Sequence, residues 1–113
     1  MFSIDNNVLI VNGKKVRFDN KIRKVIEYKN IFLVLLDIPI KSNEINNLYC
    51  IDESGNIFWK VEDLNNIIPT KMKRPYEGMK ISEDTLVVYD CFSRNFEIDI
   101  ISGKFIQLRS TGR

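Results

Sequence analysis

Leu48-Tyr49-Cys50-Ile51-Asp52-Glu53-Ser54-Gly55-Asn56-Ile57-Phe58-Trp59-Lys60 is the stretch that decides the fold. β-branched, aliphatic and aromatic residues lead into Asp52. A Glu-Ser-Gly-Asn turn follows, and a second β-rich run closes on Trp59. Residue types that fit a pleated surface, divided by a glycine turn, describe a β-hairpin. The same shape appears at Asn7–Phe18 around Asn12-Gly13 and at Phe96–Leu108 around Ser102-Gly103. The three glycines lie 42 and 48 residues apart, a spacing close to one four-stranded repeat unit.

Working outward, Asn12-Gly13 is the strongest local signal, because both central residues of a type I′ turn need positive φ. It joins Val8–Val11 to Lys14–Phe18, with Lys15 and Arg17 outward and Val16 and Phe18 inward. Ile22–Tyr28 alternates less cleanly, and Lys29-Asn30 breaks it. Ile31-Phe32-Leu33-Val34-Leu35-Leu36 then reads as a central strand buried on both faces. Lys41–Glu44 reads as a loop, and residues 63–78, with two prolines and a glycine, as a long surface loop with one helical turn near Asp63–Ile67. Met79–Ser82, a Glu83-Asp84 turn, Thr85–Tyr89 and the last hairpin complete the chain, with a frayed tail expected over 109–113.

The expected fold is all-β: a single domain over residues 1–113 with about ten short antiparallel strands. They fall into two and a half units, a leading half at Val8–Phe18 and whole units from about Arg23 to Glu62 and from Met79 to Leu108. Leu48–Lys60 resembles the hairpin of pyrroloquinoline-quinone-like β-propeller repeats, in which an apolar strand ends in Asp, turns at Gly and closes on Trp. Phe96–Gln107 is a weaker copy with Gln107 at the Trp position. The resemblance implies propeller-blade-like units; no cofactor ligands are identifiable in the chain and a lone small domain lacks the central channel, so no quinone is expected. Two and a half units cannot close a ring. Either they pack as a sandwich or open barrel, or the chain forms a homo-oligomer that completes something larger.

Composition agrees with strands: there is no alanine, and isoleucine and asparagine abound. Formal net charge is only +2, with basic segments alternating with acidic ones. That pattern lacks the one-sided footprint of a dedicated nucleic-acid binder. Cys50 and Cys91 sit in apolar, strand-like runs and read as buried, reduced thiols. Met1–Asn7 has neither a basic nor an apolar signal region, and no apolar run is long enough for a spanning helix. A cytoplasmic location and no membrane association are therefore expected.

The chain has no histidine, which removes Ser-His and Cys-His pairs and histidine-containing zinc sites. No phosphate-binding loop or calcium loop occurs, and Asp52-Glu53 and Glu83-Asp84 read as turn formers. The expectation is a protein without enzymatic activity, catalytic residues, metal or cofactor. The candidate contacts are Trp59 on the central hairpin and Lys71, Lys73, Arg74 and Tyr76 on the 63–80 loop, since Arg, Tyr and Trp are enriched at interfaces. In size and lack of chemistry the chain is similar to small bacterial immunity proteins, which implies a cognate toxin domain as partner and occlusion of its active site. A second reading is RNA or single-stranded DNA binding through the basic 71–80 loop, with cations on phosphates and Tyr76 on a base. A third is a propeller-like scaffold that oligomerises.

Overall fold

The computed structural model of the protein describes residues 2–39, 44–67 and 74–109. Lys71, Lys73, the 41–43 loop and the 110–113 tail lie outside the described residues. Among the described residues, eleven antiparallel strands form three sheets, each a simple meander. The first sheet holds β1 (Phe2–Asp5), β2 (Val8–Val11) and β3 (Lys14–Arg17). The second holds β4 (Ile22–Tyr28), β5 (Ile31–Leu36), β6 (Leu48–Asp52) and β7 (Ile57–Lys60). The third holds β8 (Gly78–Ser82), β9 (Thr85–Tyr89), β10 (Asn95–Ile98) and β11 (Phe105–Arg109). Among the described residues the one helical element is a 3-10 turn at Leu64–Asn66, whose Asp63 carboxylate accepts from the Asn65 amide. No helix among them is long and apolar enough to cross a membrane.

The leading unit is thus three strands, not two. Phe2–Asp5 pairs with β2 across Asn6-Asn7, where Asn6 takes φ of 55°. A four-residue strand with no Gly or Pro boundary gives little sequence signal, and Asn supplies the positive φ in place of Gly. Non-glycine residues also take positive φ at Lys29-Asn30 and Glu83-Asp84, at both positions of each turn. Asp52 and Asp99 shape the two longer turns. Asp52 Oδ1 accepts from the amides of Ser54 and Asn56, and Asp99 Oδ1 from that of Ile101.

The sheets stack in three layers, with the second in the middle. Its face bearing Phe32, Val34, Leu36 and Ile51 packs on Leu9 and Val11 of the first sheet. Its opposite face, with Leu33, Leu35, Leu48, Cys50 and Trp59, packs on Leu86, Val88, Phe96 and Ile98 of the third. Hence Ile31–Leu36 is buried along almost its whole length, as its unbroken apolar run requires. The outer face of the third sheet is polar. There Glu97 accepts from Gln107 and pairs with Arg109 at 2.8 Å, beside fully buried Val87.

Both thiols are free. Cys50 is buried on β6, where burial first and the Asp52 charge second push its thiol pKa up to about 12. Cys91 departs from expectation: it is exposed, because the strand ends at Tyr89 and Cys91 falls in the β9–β10 turn.

Candidate binding surface

Two of the residues expected at a surface are interior. Trp59 is 8% exposed, and its indole N–H donates to the Ile100 carbonyl, in the β10–β11 turn of the third sheet, at 3.0 Å. Its ring lies against Gly103, where an added Cβ would stand only 2.5 Å from Cε3. Trp59 therefore joins two sheets. It faces the third sheet because it pairs with Cys50, on the face of β6 that packs against that sheet. Gln107, at the Trp position of the weaker repeat, faces away from the second sheet and bonds to Glu97 instead.

Tyr76 is 1% exposed and packs edge-on against Phe96 with ring centroids 5.4 Å apart. Burial raises its phenol pKa, and its buried hydroxyl has no hydrogen-bond partner among the described residues. Its backbone is held by buried Asn47, which sequence reading missed. Asn47 Oδ1 accepts from the Tyr76 amide at 2.9 Å, and Asn47 Nδ2 donates to the carbonyls of Tyr76 and Leu36 at 2.8 and 2.7 Å. One side chain thus ties the end of β5 to the segment entering β8. The signal was an asparagine just before an apolar strand, indistinguishable in sequence from a loop residue.

Arg74 is exposed, and the structure brings it to residues that sequence reading did not associate with it. Its guanidinium lies 5.8 Å from the centre of the Phe92 ring, and that of Arg94 lies 5.2 Å from the same ring. Phe92 is 42% exposed on the β9–β10 turn. The turn is built by Asp90, itself 3% exposed. Asp90 Oδ1 accepts from the amides of Phe92 and Arg94, and Oδ2 accepts from Arg94 Nε and pairs with the same guanidinium at 2.7 Å. A buried carboxylate needs such compensation, and here it fixes the turn that holds Phe92 at the surface.

Beside this turn runs a groove of about 720 Å³ lined by Arg23, Leu36–Pro39, Arg74–Glu77 and Cys91. Arg23 spans it, pairing with Asp37 at 3.6 Å and donating to the Glu77 carbonyl at 3.0 Å. The groove is therefore walled by the second and third sheets and mixes apolar and charged groups. Among the described residues, no group of three or more Cys, Asp or Glu side chains is placed to hold a metal ion.

The sequence of this β stack matches one family model over residues 1–110. The chain belongs to the DUF7957 family, a domain of unknown function. No curated protein matches it. The crystal structure of the computationally designed Ika8 protein is similar, with a TM-score of 0.61 and 9% identity over 99% of this chain. The chain spans 36% of that designed protein's length. At this identity the likeness concerns the fold alone.

Proposed function

We propose that the three sheets are propeller-like blades in an open arc, serving as a rigid scaffold for binding another protein. The contact surface is the rim around Phe92, Arg74 and the adjoining groove. Phe92 carries the reading: a large aromatic held outward by a buried carboxylate and flanked by two guanidiniums. Aromatic and arginine side chains dominate interface hot spots, and covering a half-exposed ring next to an apolar-lined groove is a favourable way to bury area. Trp59 and Tyr76 support this surface from within and do not touch the partner. In its finer form the proposal is an immunity protein, in which the rim occludes the active site of a cognate toxin and charge steers the encounter.

The test uses the products of neighbouring genes as partners, with Phe92→Ala and Arg74→Glu as variants. Each variant should weaken binding at least tenfold, about 1.4 kcal/mol. The melting temperature should change little, because both side chains are exposed. Binding unaffected by both variants, or tight and steeply salt-dependent binding to RNA, would remove this reading.

A further inference from the structure

Among the described residues the first sheet holds three strands where the other two hold four. Counted back from the glycine turns, β3, β7 and β11 correspond, as do β2, β6 and β10, and then β1, β5 and β9. β4 and β8 cover the far edges of β5 and β9, and nothing among the described residues stands there beside β1. Burial follows this difference. Strands β5 and β9 are buried along most of their length, whereas Ser3, Ile4 and Asp5 of β1 are exposed, Ile4 by 45%.

What the gap would receive is written at the joint between the second and third sheets. There β8 pairs antiparallel with β9 and turns Met79 and Ile81 into the cluster between sheets, against Ile26 and Tyr28 of β4. On the other face of β4, Val25 is half-buried toward the first sheet, and Glu27 is exposed beside it. Ile4 pairs with fully buried Leu9 and so lies on the face that looks toward the second sheet.

We propose that the open edge of β1 binds an extended segment of a partner polypeptide, added antiparallel as the fourth strand of the first sheet. Its backbone satisfies the unpaired edge, alternate apolar side chains cover Ile4 and Val25, and a basic side chain meets Glu27. A second copy of β1 is a poorer occupant, since Phe2-Ser3-Ile4-Asp5 brings no cation to Glu27. The strands of this chain are already committed to sheets among the described residues. This edge is separate from the Phe92 rim, and its test stands apart from that of the binding proposal.

The experiment adds to the full chain a synthetic peptide with the alternation of β8, Gly-Met-Lys-Ile-Ser-Lys, and follows amide hydrogen exchange. Saturating peptide should slow exchange across Phe2–Asp5 by about tenfold or more, with β7 and β11 unchanged. An N-methylated copy, which cannot pair, should do nothing, and Glu27→Lys should weaken binding several-fold. No slowing at about 1 mM peptide, where even weak strand addition would register, overturns the proposal. So does equal slowing by the N-methylated peptide, or protection of β1 that grows with protein concentration alone.

Discussion

At the joint between the first and second sheets, Asn12 Nδ2 donates to the Glu53 carbonyl at 3.1 Å. At the joint between the second and third, Trp59 donates to the Ile100 carbonyl, which likewise follows the turn-forming aspartate. The position above the turn glycine differs as well. A Cβ on Gly55 would lie 3.2 Å from Lys14 Cβ, while one on Gly103 would enter the Trp59 ring. The second joint carries further bonds: Lys24 to the Met79 carbonyl, the Phe105 amide to Glu62, Asn47 to Tyr76, and the Tyr28 hydroxyl to Asp84. The first adds one backbone bond, from the Ile22 amide to the Asn6 carbonyl at 2.9 Å, and otherwise relies on apolar contact and on two aromatic pairs, Phe2 with Phe32 and Phe18 with Tyr49. One repeated geometry thus serves two purposes. A small polar side chain registers a lighter joint, and a buried indole locks the joint that carries the candidate rim.

The largest expected effect comes from removing the indole. Trp59→Ala should cost about 3–5 kcal/mol, through the cavity and the lost burial. Because Cys50 faces the same joint, its alkylation reads the opening directly. Cys91 should react at once in the native protein, Cys50 slowly, and Cys50 much faster in the variant. Equal reactivity of both thiols in the unaltered protein would show that the joint is not closed.

The glycines sharpen the contrast. Gly55→Ala and Gly103→Ala both meet a positive φ, 84° and 76°, which an L side chain tolerates at a cost of about 1 kcal/mol. Only Gly103→Ala must also displace a tryptophan. It should therefore be the more destabilising by about 2 kcal/mol in denaturant unfolding, in line with overpacked cores. Similar values for the two would mean that the joints are equivalent after all. Smaller still is Asn12→Gly, which keeps the turn and deletes the bridge to Glu53. A loss of about 0.5–1.5 kcal/mol is expected from one hydrogen bond.

The mildest difference is in pH. The Tyr28 hydroxyl first and the Lys29 charge second hold the Asp84 carboxyl below its ordinary value of 3.8. A carboxylate lowered in the folded state stabilises above its unfolded pKa and loses that contribution as pH falls through the folded one. Acidification below that ordinary value should therefore loosen the second joint selectively, seen as faster amide exchange near Asp84, and Asp84→Asn should abolish the change. The first joint, bridged by a neutral amide, should not respond.

Much of this fold was legible in the chain because its turns are chemically local. Asn12-Gly13, Ser54-Gly55 and Ser102-Gly103 each state a hairpin wherever they occur, since positive φ and aspartate-capped turns are settled within five residues. Ile31–Leu36 likewise announces burial on both faces. The strand Phe2–Asp5 was hidden by its brevity and by an asparagine doing the work of a glycine.

The candidate site was far less legible. Arg74 was marked by its type, but its meeting with Phe92 joins segments separated along the chain, and no local rule brings them together. Trp59 shows the division most clearly. Its sequence context determined a tryptophan ending a β-hairpin, with alternation leaving either face open to solvent. Whether it would be a contact for a partner or the lock between two sheets depended on whether another sheet packs on that face. Among the described residues one does for Trp59 and none does for Gln107, and only tertiary structure decides that. Composition and turn chemistry are local and so determined strands, hairpins and their alternation. The stacking order, the uncovered edge of β1 among the described residues and the exposed Phe92 are properties of neighbours distant in sequence.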